Sequence, residues 1–312
     1  MKYVIYKFVF STGVHLGNGR LSKSRFTFCA DTLFSALCHM TLKINGEAGI
    51  EQLVEYAKKG MLLISDSMPY INDTLYLPKP IVEIPKENRD ASVKKQAKKL
   101  AYISEGHFSD YLKGNLDIGA ELEQTEILGN LEIRTRLNKH DDTGPYQVGV
   151  FHYGRNKQKQ TGSYIIIGYK EDFILDLVEE LLYYLGYEGI GGKISSGLGK
   201  FEPIYEEPSE NLVNHLKNAD QYPYRVTLSL SLPTEEELPE ALSSAYYAVI
   251  LRSGFVASYT YAETFQKKKD LYCIKAGSCV CSSYQGDVYD VSNGGRHPVY
   301  RYAKPMFMGV EI

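Results

Sequence analysis

Residues 2–10 alternate and are rich in Tyr, Val, Ile and Phe, which predicts a β-strand. Residues 11–20 hold Gly13, Gly17 and Gly19 and read as a loop. Beyond them, Leu33, Leu37, Met40 and Ile44 recur at helical spacing, and Asp31 is the expected N-cap. The first unit is therefore a strand, a glycine-bearing loop and a core-facing helix. Residues 75–84 carry Pro78 and Pro80, with Pro85 just beyond, and predict extended chain or an edge strand. From residue 88 the character changes. Lys94, Lys95, Lys98 and Lys99 lie on an expected helix, and residues 78–128 or so read as an insertion between core elements. Strands are expected at residues 131–137, 147–153 and 163–169, with Asp142-Thr143-Gly144-Pro145 turning between the first two. Phe173, Leu177, Leu181 and Leu185 predict a second amphipathic helix stopped by Gly186. A glycine-rich loop follows, and residues 200–205 predict a closing strand.

The core order is strand, helix, strands, helix, strand, which is the order of a ferredoxin-like (RRM-like) unit. The chain then breaks at Glu206-Glu207-Pro208-Ser209-Glu210. The second part is β-rich, with strands expected at 225–232, 245–257, 272–276, 278–282 and 298–310, and a helix at 233–244. The expected class is α+β, with a first domain at 1–207 and a degenerate ferredoxin-like domain at 208–312.

Composition narrows the options. A hydrophobic fraction of 44% with 23% charged residues is that of a soluble globular protein rather than a disordered one. The longest apolar runs, such as Tyr164 to Ile167, are too short to cross a bilayer, and Lys2 and Lys7 flank any apolar start, so a cytoplasmic, membrane-free protein is expected. The net charge of −3 removes a global basic field, so any grip on nucleic acid has to be local. Cys29 and Cys38 sit in an apolar helical stretch and read as small hydrophobes. Cys273, Cys279 and Cys281 lack a fourth ligand at sensible spacing, so no metal and no cofactor is expected.

The chemistry is concentrated in residues 189–200, which read Gly189-Ile190-Gly191-Gly192-Lys193-Ile194-Ser195-Ser196-Gly197-Leu198-Gly199-Lys200. Glycines let amides approach an anion and support nest-forming turns; Ser195 and Ser196 add donors, and Lys193 and Lys200 add charge. Neither Gly-Lys pair has the spacing of a Walker A loop, and Ile194 stands where a dinucleotide fingerprint needs glycine. The loop also follows a helix and precedes a strand, the reverse of those two sites.

A helix followed by Gly-x-Gly-Gly-Lys-x-Ser-Ser-Gly-x-Gly-Lys-Phe resembles the glycine-rich loop of the RAMP superfamily of CRISPR proteins. Phe28-Cys29-Ala30-Asp31-Thr32-Leu33-Phe34-Ser35-Ala36-Leu37 resembles the first helix of its type III members. His15-Leu16-Gly17, the lysine-rich run into Ala101-Tyr102-Ile103-Ser104, and Arg252-Ser253-Gly254-Phe255 extend the likeness to the fourth subunit of the type III-A (Csm) complex. The resemblance implies two ferredoxin-like domains and no nuclease activity. It implies binding to the 5′ repeat-derived handle of crRNA, and docking beside the large polymerase/cyclase-like subunit and a backbone RAMP subunit. The expected RNA-binding set is His15, Gly17, Arg20, Arg134, Arg136, Gly189, Gly191, Gly192, Lys193, Ser195, Ser196, Gly197, Gly199, Lys200 and Arg252.

Other roles stay open at this level. His15 suits an RNA hydrogen-bonding group or a structural residue, and only weakly the base of a metal-independent endoribonuclease, which also needs an acid for the leaving 5′-oxygen. Arg134 and Arg136 share one strand face, with Arg155, Lys157 and Lys159 just downstream and Tyr146, Phe151 and Tyr153 nearby for stacking. A solvated surface strand is the plainer alternative. Lys94 to Lys99 read as a solvated helix face, and the run Lys267-Lys268-Lys269 as a solvated face or, alternatively, a channel edge.

Overall fold

The computed structural model describes residues 1–83, 91–136, 144–154, 159–258 and 260–311. In the first half, β1 (Lys2–Phe10), β2 (Leu16–Asn18) and β3 (Arg20–Arg25) precede α1 (Ala30–Lys58). Strands β4 (Leu62–Ile64), β5 (Met68–Ile71) and β6 (Thr74–Pro78) follow, then α2 (Ala91–Lys99), β7 (Tyr102–Ser104), α3 (Phe108–Leu112) and α4 (Ile118–Glu126). The half closes with β8 (Gly129–Arg136), β9 (Tyr146–Tyr153), β10 (Thr161–Tyr169), α5 (Asp172–Glu188) and β11 (Phe201–Glu206). The second half runs α6 (Glu210–Lys217), β12 (Tyr224–Thr227), α7 (Leu238–Ala241), β13 (Val249–Arg252), β14 (Leu271–Ile274), β15 (Cys279–Val280), β16 (Asp287–Asp290), β17 (Tyr300–Ala303) and β18 (Phe307–Val310). The class is α+β, as expected.

The main sheet has the order β11-β1-β10-β5-β6-β7, with β4 also paired to β10 and antiparallel pairing throughout. β1 is central because both of its faces can be buried. Val4, Tyr6, Phe8 and Phe10 pack with Leu33, Leu37, Val178 and Leu181 of the two long helices. Ile5, one step out of phase, packs on the other face with Tyr164, Ile166, Met306 and Met308. Each fully buried side chain of this size contributes about 1.5–3 kcal/mol. Lys7 is the exception on that second face. Its ammonium pairs with Glu206, reaches the Asn72 carbonyl at 3.3 Å and lies 5.1 Å above the Tyr70 ring, which makes an interior charge tolerable.

Both apolar clusters draw residues from either side of residue 207. Val288 and Tyr302 join the α1–α5 side, and Val226, Leu228 and Met306 join the other. The Tyr302 hydroxyl accepts the Ile64 amide at 2.9 Å, tying the second half to the main sheet. The insertion adds β7 to the sheet edge and buries Leu100, Ile103, Phe108 and Ile118 against the same face.

Several local expectations are corrected. Helix α1 starts at Ala30 with Cys29 as its N-cap, so Asp31 sits inside the first turn and caps nothing. Ile44 is exposed, two residues before the backbone breaks at Gly46 (φ 72°), and the helix returns to the core beyond the break through Leu53, Val54 and Ala57. The buried stripe of α5 is Ile174, Val178, Leu181, Leu182 and Leu185, leaving Phe173 half-exposed. Gly186 does not stop that helix. It is a close-approach position, where a Cβ would lie 2.4 Å from the Phe201 carbonyl, and Gly189 (φ +99°) ends the helix three residues later.

In the second half, α6 was not expected. It starts just after the acidic break, with the Ser209 hydroxyl accepting the Leu212 amide at 3.0 Å. Residues 298–310 form two strands parted at Pro305, which has no ladder donor, and the unexpected β16 pairs with the first of them. The strand expected at 225–232 is laddered only through Thr227, and the helix expected at 233–244 shortens to α7. Ile84, Pro85, Asp142, Thr143, Arg155 and Lys157 lie outside the described residues. Among those described, no helix is long and apolar enough to cross a membrane, no cluster of three or more His, Cys, Asp or Glu could hold a metal, and all five thiols are free.

Candidate nucleic-acid interface

The glycine loop closes on itself and docks on the loop after β1. The Ile190 amide donates to the Gly199 carbonyl at 3.0 Å, joining the two ends. The Gly192 amide donates to the His15 carbonyl at 2.8 Å, the Gly199 amide to the Gly13 carbonyl at 2.9 Å, and the Lys200 amide to the Thr12 hydroxyl at 3.0 Å. Glycine is required at these contacts. A Cβ on Gly191 would lie 2.6 Å from the His15 carbonyl oxygen, and one on Gly199 would lie 2.1 Å from that of Ile190, both at positive φ. This corrects the expectation of a wholly free amide cradle. The amides of Gly189, Ile190, Gly192, Ser196, Gly197 and Gly199 are spent on backbone carbonyls, whereas none of these bonds uses those of Gly191, Lys193 or Leu198.

The hairpin β8–β9 braces the loop from outside. Leu198 packs on Val148 and Val150, and the Lys193 ammonium lies 5.1 Å above the Tyr146 ring. Lys193 itself adopts the left-handed conformation (φ 62°), while Ser195, Ser196 and Lys200 are exposed on the outer turn. His15 is buried beneath the loop. Its Nδ1 donates to the Gly149 carbonyl at 2.7 Å, and a Cβ on Gly192 would lie 2.8 Å from its ring. The histidine thus supports the loop from beneath.

Beside the loop opens a cleft of about 760 Å3, walled by Gly17, the first turns of α1, Gly189, Gly191, Gly192 and the segment from Arg252 to Phe255. Five Lys or Arg side chains line it (Arg25, Lys43, Arg252, Lys268 and Arg301) against two carboxylates, Asp31 and Glu188. In a chain of net charge −3, this is a local positive site.

Arg252 is held inside the protein. Its Nε and Nη2 donate to the two Asp31 oxygens at 2.9 and 2.7 Å, Nη2 also reaches the Thr32 hydroxyl, and Arg301 Nη1 donates to Asp31 at 2.7 Å. It therefore anchors β13 to α1 while its side chain also lines the cleft. Burial alone would raise the Asp31 pKa, but Arg252 and Arg301 outweigh it and hold the carboxyl below its ordinary value.

Arg134 donates through Nε and Nη2 to Glu132 at 3.0 and 2.9 Å beside His152, so its charge is largely matched on the hairpin. Arg136 pairs across from Tyr146, and Arg20 is exposed on β3. The expected residues therefore separate into four places: the cleft wall, the outer turn, the β3–β8–β9 face and, for His15, the underside of the loop.

Sequence reasoning missed Arg25, Lys43 and Arg301, and left Lys268 undistinguished within a run read as a solvated face or a channel edge. Lys267 is exposed and paired with Asp270, as a solvated run should be, but its neighbour Lys268 lines the cleft. Nothing in three consecutive lysines distinguishes the middle one.

Asp66 was also missed. It is half-buried where α1 meets the second half, and its Oδ1 accepts the Ala30 and Leu230 amides, each at 2.8 Å. Burial pushes its pKa up to about 6, against the lowering effect of those amides. Because the folded value exceeds the unfolded one, this group stabilises the fold most below about pH 4 and loses that contribution as pH rises through about 6. Two pKa units correspond to about 3 kcal/mol. Asp66→Asn retains an oxygen acceptor and cannot ionise. The variant should match wild type near pH 3.5 and gain on it by up to about 3 kcal/mol at pH 7.5 in denaturant melts. A pH-independent gap would refute the assignment.

Comparison with known proteins converges on one family. The RAMP superfamily pattern matches residues 7–202, and the CRISPR Csm4 C-terminal domain matches residues 220–310. Over 309 residues the chain is 32% identical to the CRISPR system Cms protein Csm4 of Mycobacterium tuberculosis (strain ATCC 25618 / H37Rv), covering 98% of this chain and 97% of that one. It is 31% identical over 323 residues to the protein of the same description from Streptococcus thermophilus, covering all of both. Its fold is similar to a chain in the crystal structure of the Csm3-Csm4 subcomplex of the type III-A CRISPR-Cas interference complex, with a TM-score of 0.69 at 19% identity and full coverage of both. A chain of the Csm1-Csm4 cassette in complex with cA4 gives 0.65 at 22%, covering 100% of this chain and 99% of that one. With one pattern filling most of the first half, a second filling the other, and relatives above 30% identity along nearly the whole length, this chain belongs to the Csm4 family of the RAMP superfamily, the CRISPR proteins of the type III-A Csm system.

Proposed function

We propose that this chain is a non-catalytic subunit of a type III-A effector complex in the cytoplasm. In this reading it binds the 5′ repeat-derived handle of crRNA and docks the large polymerase-like subunit. The observation that carries it is the local positive cleft beside the glycine loop in an acidic chain. An RNA strand suits such a site because its phosphates repeat along the groove and need no global field. The partners are supported by the solved relatives, which are described as complexes of Csm4 with Csm3 and with Csm1. We also read each half as a ferredoxin-like module, on the support of the first half, where β1 lies between the closing strand β11 and the third strand β10.

The alternative endoribonuclease reading required His15 as a base. The burial of His15 and the commitment of its Nδ1 to the Gly149 carbonyl favour the non-catalytic reading. Purified protein incubated with repeat RNA in EDTA is expected to bind it and leave it intact. Cleavage that disappears in His15→Ala would overturn the proposal.

A further inference from the structure

Outside the cleft, α5 and β11 present a face rich in tyrosine. Tyr183, Tyr184 and Tyr187 of α5 and Tyr205 of β11 are between 44% and 65% exposed, so the fold leaves four large rings with much of their surface in water. The rings are held in place. The Tyr187 hydroxyl donates to that of Tyr183 at 3.1 Å, and their rings meet edge-on at 5.2 Å. Tyr183 meets Tyr184 edge-on at 5.5 Å, and Tyr205 meets Tyr6 edge-on at 6.0 Å while its hydroxyl donates to Glu207.

Helix and strand form one continuous surface. A Cβ on Gly186 would lie 2.4 Å from the Phe201 carbonyl oxygen and 3.5 Å from Pro203 Cδ, so α5 rests directly on β11. Each element's carboxylates reach the other's rings. Hydrogen bonding with Tyr183 first, and the Glu202 charge after it, raise the Tyr187 pKa. Hydrogen bonding with Glu207 first, and the Glu179 charge after it, raise that of Tyr205 to about 12. β11 ends the main sheet, but Pro203 at its middle donates no amide, which blunts that edge against an added strand. A partner on this face meets side chains.

The charge of the face is one-sided. Residues 171–192 and 201–216 together hold ten Asp and Glu and no Lys or Arg. Lysines from elsewhere match three of them: Lys2 on Asp172, Lys43 on Glu188 and Lys7 on Glu206. Asp176, Glu179, Glu180, Glu202 and Glu207 have no ion pair among the described residues. Such a face repels phosphates, so it is not a continuation of the RNA site.

We infer that the α5–β11 face seats a protein subunit that presents arginines. The inference rests on the reading of this chain as a docking subunit and names the surface used. Arg is the side chain that both forks onto carboxylates and stacks on tyrosine rings, and Tyr and Arg are the residues enriched at interface centres. Rings already held in place lose little freedom on docking. The face also runs into the glycine loop at Gly189 and Phe201, so the seated subunit stands beside the loop.

The test titrates the full chain separately with the large polymerase-like subunit and the backbone RAMP subunit of the same system, by biolayer interferometry. Glu179→Lys with Glu202→Lys should weaken one of these Kd values about 100-fold, with slower association and a flatter salt dependence. Tyr183→Ala with Tyr187→Ala should weaken the same one about 30-fold, through faster dissociation. All four positions are exposed, and both variants should bind handle RNA at least as well as wild type, which reports an intact fold and loop. If wild type binds a subunit and neither variant changes either Kd, the face is overturned while docking stands. Handle binding lost in both variants would trace the effect to the loop and overturn the face as well. So would self-association of wild type that the same substitutions abolish. Wild type that binds neither subunit would remove the docking reading and this inference together.

Discussion

Asp31→Ala is expected to cost about 3–5 kcal/mol of folding stability, read as a lowered denaturant midpoint. The carboxylate sits between Arg252 and Arg301, is itself 5% exposed, and accepts three charge-assisted hydrogen bonds at 2.7–2.9 Å. Removing it leaves two guanidinium groups close together with no counter-charge and little water. The penalty is that of stranding the arginines rather than the net value of the bridge, which is modest because all three groups were desolvated to make it. A second substitution separates these two terms. Asp31→Leu combined with Arg301→Met should be more stable than Asp31→Ala alone, since one of the stranded charges is gone. A double variant no better than the single one would mean that the cluster is not electrostatically coupled.

Lys193→Ala with Lys200→Ala is expected to weaken binding to handle RNA by about 30-fold, taking about 1 kcal/mol for each lost contact. The same change should flatten the salt dependence by about 1.4 in slope, because two phosphates no longer displace counterions. Lys200 is exposed at the end of the glycine loop, and Lys193 rests over Tyr146 with its backbone already in the left-handed region, so neither alanine should unfold the chain. Unchanged affinity would remove the loop from the interface, because the spent amides leave the two lysines as its main contribution. Gly199→Ala gives a sharper contrast. Its Cβ would collide with the Ile190 carbonyl, so loss of binding there reports the shape of the loop rather than its charge.

These two sites differ in how far the sequence reveals them. The loop was visible because five glycines, two serines and two lysines crowd into twelve residues, and its place after a helix already excluded nucleotide-binding motifs. Its energetics were not visible. Which amides remain free depends on Gly13, Thr12 and His15, residues more than 170 positions away. The Asp31 cluster was misread as a cap because the capping rule is local, whereas Arg252 and Arg301 arrive through β13 and β17 from the other end of the chain.

By itself, the sequence determined the α+β class, the two long helices, the strands at 2–10, 129–136, 146–153 and 161–169 to within two residues, and the family. Those features rest on periodicity and short motifs, which depend on neighbouring residues. Only the tertiary structure decided that both apolar clusters span the two halves, that His15 lies beneath the loop, and that Lys268 rather than Lys267 faces the cleft. Each depends on contacts between segments far apart in the chain. Burial and electrostatics act through space, and a residue's chemistry is set by which distant groups the fold brings against it.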